Sequence, residues 1–251
     1  MPGINPPSFM VPAGRTRRMS GSIVGDIRAE LRRRTSPEGV EKAKRFFREP
    51  IEVYGLSTSQ EMEIVKRFYP RVKGNLPLAL EVAEELVESR VLEEASIGVR
   101  LLRPMTRLFT PELFDIFDGW VDHLTNWANT DGLSTWLIAE TVRLDPSLVG
   151  RLLDWTGSGN RWRRRAAAVS LVPIARRGEM LEQVFEIADH LMADGDDMVQ
   201  KGVGWLLKEA SKEHPDEIRE YLLRWREETS ALVLRYASEK LPRERRVLKT
   251  G

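Results

Sequence analysis

Three short strings recur in this chain at a near-constant interval: Trp127-Ala-Asn-Thr-Asp131, Trp162-Arg-Arg-Arg165-Ala-Ala-Ala and Lys201-Gly-Val-Gly-Trp205. Trp127 and Arg165 are 38 residues apart, and Arg165 and Trp205 are 40 apart. An interval of about 40 residues is the period of stacked helical-hairpin repeats. Such a chain buries each hairpin against the next, which lines up equivalent positions on one concave face. Two indoles, a carboxylate and a guanidinium are therefore expected in one groove. That set suits a cationic group held beside a phosphate.

The rest of the chain reads as helices separated by turn signals, with no convincing strand alternation. Residues 1–20, rich in Pro, Gly, Ser and Arg, read as a flexible tail. Helices are expected at about 22–34, through about 47 after the Thr35-Ser-Pro37-Glu38 signal, and from Thr58 or Ser59 to about 69. Further helices are expected at 77–89, 91–103 and from Thr110-Pro-Glu to about 123. The next runs from Trp127 or Asp131 to 143, followed by 147–155, 161–176, 179–193, 197–213, 215–226 and 229–240. Short connections make neighbouring helices antiparallel. The expected fold is all-α: a right-handed superhelical stack of antiparallel helical hairpins, an α-solenoid of HEAT-like repeats. It forms a single domain over 21–242, with a basic tail at 243–251.

Composition removes several function classes. The chain has 251 residues and no cysteine, which excludes disulfides and cysteine-ligated clusters. Its three histidines, His123, His190 and His214, are far apart, and no metal motif is present. Asp194-Gly-Asp-Asp197 invites a calcium reading, but a loop leading to an N-cap at Asp196 or Asp197 accounts for it better. No cofactor is implied. No apolar run is long enough to span a bilayer and no signal peptide is evident, so a cytoplasmic location is expected.

Net charge is only +1, but it is unevenly placed. Residues 1–50 hold eleven Lys/Arg against five Asp/Glu, and 161–177 holds six Arg and no acid. The stretch Glu81 to Glu94 holds six Glu and one Arg. Segregation of this kind implies a basic face able to hold a polyanion, unless each run is simply a solvated helix face.

Trp127 and Asp131 lie four apart on one helical face; the plainer alternatives are a core Trp127 and an N-cap Asp131. Trp120, Trp136, Trp155 and Trp225 belong to no motif. Trp162 and Arg165 also share a face, and Arg165 opens a run of small residues from which a guanidinium can emerge into a groove. Arg161, Arg163 and Arg164 are expected on the solvent side. The loop Gly157-Ser-Gly159 leads into this helix with backbone N–H groups available to a phosphate. Two glycines inside one helix, Gly202 and Gly204, each cost about 1 kcal/mol against alanine, which points to close approach by a helix or a ligand. No strand precedes them and the third glycine is missing, so they are not a dinucleotide fingerprint.

Together, Trp127-x-x-x-Asp131, Trp162-x-x-Arg165-Ala-Ala and Gln200-Lys-Gly-Val-Gly-Trp205-Leu-Leu-Lys-Glu resemble the AlkD-type DNA alkylation repair glycosylases, built from HEAT-like repeats. The resemblance extends from about residue 22 to 241. It implies a concave, basic DNA-binding face on which Trp127, Trp205 and Asp131 act on the damaged nucleotide and Arg165 contacts a phosphate. Trp162, Lys201, Arg164, Arg161 and Phe46 complete the implied DNA-contacting set. The chain departs from the family pattern at Phe46, where the family commonly has Tyr, at Gly202 in place of Ala, and at Arg235-Tyr-Ala in place of Arg-Glu-Ala.

A single carboxylate suffices for one class of substrate. Glycosidic cleavage generally uses a second acid to protonate the leaving group. A purine alkylated at N3 or N7 is already positively charged and needs no proton. The resemblance therefore implies a monofunctional DNA N-glycosylase for cationic alkylpurines in duplex DNA, acting without base flipping, in base excision repair; a monomer is expected, since nothing in the sequence demands more. A non-catalytic HEAT-like scaffold binding DNA or a protein is the alternative. A TPR-like peptide binder lacks its small-and-aromatic signature.

Overall fold

The computed structural model describes residues 13–47 and 49–249, with side chains described from residue 19. The first half is built from α1 (Ala13–Arg34), α2 (Pro37–Phe46), α3 (Thr58–Val72), α4 (Leu76–Glu88), α5 (Leu92–Leu102), α6 (Leu113–Val121) and α7 (Trp127–Leu133). The second half holds α8 (Ala139–Leu144), α9 (Val149–Thr156), α10 (Arg161–Ser170), α11 (Val172–Ala175), α12 (Leu181–Leu191), α13 (Asp197–Ala210), α14 (Pro215–Arg224) and α15 (Ala231–Ala237). Among the described residues the only extended pairing is an isolated bridge between Glu52 and Val91. No helix among them is long and apolar enough to cross a membrane.

The helices form a superhelical stack of hairpins. One row, α5, α7, α10, α13 and α15, packs each helix on the next. A second row, with α4, α6, α9, α12 and α14, backs it. The centre of the first row is α10, whose Ala166, Ala167 and Ala168 are wholly buried. Small side chains there let α7 and α13 approach from either side.

Side-chain caps define the helix starts. Ser36 accepts from the Gly39 amide, and Ser57 forms a capping box with Gln60. Asn126, Asn160, Asp196 and Ser230 cap α7, α10, α13 and α15. Each satisfies amides that the first helical turn leaves without carbonyl partners. Asp131 is therefore not the N-cap of its helix, and Asp196 is the N-cap behind the acidic Asp194–Asp197 string.

Several expected boundaries move. The first helix begins at Ala13, so residues 13–20 are helical and not tail; the tail expected over residues 1–12 lies outside the described residues. Helix α3 continues through Pro70 to Val72. The expected 161–176 helix divides into α10 and α11 ahead of Pro173, whose ring and missing N–H oppose an uninterrupted helix. Between α7 and α8, residues Ser134–Ile138 form a π-helical turn. The basic tail also packs down. Val247 is buried and exchanges hydrogen bonds with the Ser238 hydroxyl, Arg226 donates to the Leu248 carbonyl, and Arg245 pairs with Asp216.

The segregated charge is complementary inside the fold. Arg28 of α1 reaches Glu85 and Glu94 at 2.9 Å each, so the acidic 81–94 stretch faces the basic N-terminal region. The arginine run at the start of α10 is likewise answered by acids of adjacent repeats: Arg163 pairs with Asp118 and Asp122, Arg164 with Asp194, and Arg161 with Asp196. The Arg163 hydrogen bonds hold the Asp122 carboxyl below its usual range, against the opposing effect of burial. Arg161, Arg163 and Arg164 are half-buried, which corrects their expected solvent-facing placement. A neighbouring repeat supplied partners that no local window could show.

Candidate functional site

Helix α7 starts at Trp127 because Asn126 caps it, accepting from the Asn129 amide at 2.9 Å. The Asn129 carboxamide donates to the Leu92 carbonyl, which fixes α7 against α5. With the helix so anchored, Trp127 and Asp131 project from one face. Trp127 packs on Phe46 and Phe47, with ring centroids 5.8 and 5.7 Å away. Phe47 is buried, whereas Phe46 is 66% exposed.

Asp131 meets Arg165 of α10. The guanidinium donates Nε to Oδ1 and Nη2 to Oδ2, both at 2.8 Å. Its third nitrogen, Nη1, donates to the Met198 carbonyl in the first turn of α13. One side chain thus ties together α7, α10 and α13. Arg165 is buried and Asp131 half-buried. Burial pushes the Asp131 carboxyl above its ordinary value, while the charge and hydrogen bonds of Arg165 pull it back. Arg165 was expected as an open fork for a phosphate; the structure commits that fork to Asp131.

The glycines of α13 explain how Arg165 fits. A Cβ on Gly202 would lie 3.3 Å from the Arg165 Cγ, and one on Gly204 only 2.5 Å from the Tyr236 Cβ. The close approach expected at this pair is made by the flanking helices α10 and α15. Gln200 completes the string by donating to the Asp194 carbonyl and accepting from Ser230.

Trp127, Asp131, Arg165, Lys201, Trp205 and Tyr236 line one cleft of about 340 Å³. The four residues expected to share a groove are therefore brought together. Lys201 pairs with Asp197 at the rim. Trp162 is buried against Arg161, whose guanidinium carbon lies 4.9 Å from its ring centroid. In the Gly157-Ser-Gly159 loop, Arg164 donates to the Ser158 carbonyl and the Ser158 amide bonds the Trp155 carbonyl. Arg161, Trp162 and Arg164 are thus engaged in holding the stack, and Phe46 stands in a second cleft beside the first.

That second cleft, about 890 Å³, shares Trp127 with the first and is lined also by Phe46, Phe47, Trp136, Glu61 and Arg100. Burial pushes the Glu61 carboxyl up to about 7, against the opposing Ser96 hydrogen bond and Arg100 charge. A third cleft, about 410 Å³, runs between Trp136 and Trp205. The three clefts therefore meet pairwise at Trp127, Trp205 and Trp136. Trp136 is the residue that sequence reasoning passed over. It lies in the π-helical turn, which breaks the spacing by which its face could be inferred, although such turns gather at functional sites. Trp120 and Trp155 are core, and Trp225 donates to Asp189.

Among the described residues no cluster of three or more potential metal ligands occurs. The family model described as DNA alkylation repair enzyme matches residues 27–241. Among solved structures, a predicted DNA alkylation repair enzyme from Enterococcus faecalis is similar in fold, with a TM-score of 0.73. It is 17% identical, over 83% of this chain and 97% of that one. AlkD2 from Streptococcus mutans gives a TM-score of 0.54 at 22% identity, over 74% of this chain and 90% of that one. The alkylpurine DNA glycosylase AlkC from Pseudomonas fluorescens, solved bound to DNA containing an abasic site analog, gives 0.51 at 18% identity, over 90% of this chain and 62% of that one. No curated protein matches the chain.

Proposed function

Since the chain belongs to the DNA alkylation repair enzyme family, we propose that it is a monofunctional DNA N-glycosylase that hydrolyses the glycosidic bond of positively charged N3- and N7-alkylpurines in duplex DNA. The observation that carries this reading is the cleft in which Trp127 and Trp205 stand with the Asp131–Arg165 pair.

A carboxylate offers about four lone-pair sites. Arg165 takes one on each oxygen of Asp131, which leaves a site on each for the substrate. When the glycosidic bond breaks, its electrons go to the cationic base, which leaves neutral, and positive charge develops on the deoxyribose. Asp131 stabilises that charge and accepts the proton of the water that adds to the sugar carbon. The product is an abasic site. Trp127 and Trp205 present indole faces to the cationic nucleotide. Arg165 acts as a positioning residue: it keeps Asp131 ionised in a poorly solvated cleft and fixes its plane. The cleft is an open one, which suits attack from the backbone side with the base left stacked, by a single copy of the chain.

A second reading, a non-catalytic HEAT-like DNA- or protein-binding scaffold, is favoured by one observation: the arginines of α10 are neutralised by Asp118, Asp122, Asp194 and Asp196. Release of 7-methylguanine from methylated duplex DNA separates the two. The glycosylase reading expects release that Asp131→Asn abolishes with DNA binding retained. Binding without release of any cationic adduct by the unmutated protein supports the scaffold.

A further inference from the structure

The third cleft has no part in the chemistry proposed above. Its walls come from the segment after α5, the π-helical turn, α8, α11 with its C-cap Arg176, and α13, with Arg103, Thr106, Trp136, Glu140, Arg176 and Trp205 among its lining. Arg103 is exposed and has no carboxylate partner among the described residues. This sets it apart from Arg161, Arg163, Arg164, Arg165 and Lys201, all of which are paired. What holds Arg103 is the Trp136 ring, whose centroid lies 4.5 Å from its guanidinium carbon. Stacking of this kind fixes the plane of a guanidinium and leaves its N–H edge free to donate.

The other groups in the cleft fit one ligand chemistry. Arg176 donates Nε to Glu209 at 2.8 Å, and its side chain remains 53% exposed, so its terminal nitrogens are open. The Thr106 hydroxyl has no protein partner among the described residues, whereas the Thr135 hydroxyl is committed to the Asp131 carbonyl. The one acid of the lining, Glu140, is bonded to Arg143 at 2.8 Å, which offsets its charge. Two open guanidinium edges, a free hydroxyl and two indoles make a donor set for a single anionic group between aromatic walls.

We propose that this cleft binds a backbone phosphodiester of duplex DNA, next to the nucleotide held in the Asp131 cleft, with Arg103 as its principal donor. The proposal rests on the DNA-processing reading for the identity of the ligand. Trp205 is the shared wall, so a strand leaving the Asp131 cleft passes over it into this one. Thr135 links the two clefts a second time, since its hydroxyl bonds the backbone of Asp131 itself.

The test is equilibrium binding of a fluorescent duplex carrying an abasic-site analogue, followed by anisotropy over a series of salt concentrations. Each phosphate neutralised contributes about 0.9 to the slope of log affinity against log salt. Arg103→Gln is predicted to weaken binding about tenfold and to lower the slope by about one. Thr106→Val is predicted to weaken binding with the slope unchanged. Arg219→Gln, the same charge change on α14 of the second row, is predicted to alter neither quantity. Binding and slope for Arg103→Gln equal to those of the unmutated protein, or equal to those of Arg219→Gln, would overturn the proposal. None of these readouts requires base release, so failure here and failure of the glycosylase reading are told apart.

Discussion

Asp131 and Arg165, 34 residues apart in sequence, join through two parallel hydrogen bonds of 2.8 Å. The pair joins a helix-stacking contact to the cleft that Trp127 and Trp205 also line. Because Arg165 also holds the Met198 carbonyl, the position of the carboxylate is set by three helices at once.

Removing Arg165 leaves the half-buried Asp131 carboxylate without its partner. Arg165→Met is expected to cost about 3–5 kcal/mol in stability, measured by chemical denaturation. It also removes the influence that opposes burial, so the Asp131 carboxyl rises further. On the proposed glycosylase reading, base release depends on the ionised form and is expected to fall as pH drops through that raised value. The acid limb of the pH–rate profile of Arg165→Met therefore moves to higher pH, and Arg165→Lys, which keeps the charge, shifts it less.

The two glycines of α13 predict different outcomes for one substitution. Gly204→Ala drives a Cβ to 2.5 Å from the Tyr236 Cβ, and thermal unfolding is expected to show a loss of about 1–3 kcal/mol from overpacking. Gly202→Ala meets a flexible Arg165 at 3.3 Å. Its stability changes little, because the gain of about 1 kcal/mol in helix propensity offsets the crowding. Base release falls as Arg165 and Asp131 shift.

Glu61 lies in the second cleft with its carboxyl raised to about 7 by burial. In the unfolded chain it ionises near the ordinary value of about 4.3. The folded protein therefore binds this proton more tightly, and stability falls as pH rises from the unfolded value through about 7. Glu61→Gln is expected to leave stability at pH 4 nearly unchanged and to raise it at pH 8, by on the order of 3 kcal/mol at most. Parallel stability–pH curves for the two proteins would contradict this.

Arg164 shows how the paired arginines differ from the free one. It donates to Asp194 and to the Ser158 carbonyl. Arg164→Gln is expected to lower stability by about 1–2 kcal/mol while leaving the salt slope of DNA binding unchanged. A lower slope with unchanged melting would place Arg164 at the DNA instead.

The stack, its period and the meeting of Trp127, Asp131, Arg165 and Trp205 were legible in the sequence, because helical spacing and repeat length fix which faces meet. The partners of the charges were not. Asp118, Asp122 and Asp194 sit 30 to 45 residues from the arginines they bind, so a local run with no acid read as an open basic face. Trp136 was hidden because the π-helical turn shifts register where helical periodicity would have been applied. The start of α1 was missed because its small and basic residues carry little apolar pattern. The packing of the basic tail was not legible because its contacts, Val247 with Ser238, Arg226 with Leu248 and Arg245 with Asp216, follow no helical or strand periodicity.

Single-turnover release of 7-methylguanine from methylated duplex DNA, compared between the unmutated protein and Asp131→Asn with binding measured in parallel, tests the central claim most directly. The account predicts release by the unmutated protein, a loss of at least about a hundredfold in the variant, in line with the contribution of one positioned acid–base group, and DNA affinity within a few-fold. Equal rates in the two proteins, or no release of any cationic purine by the unmutated one, would contradict it.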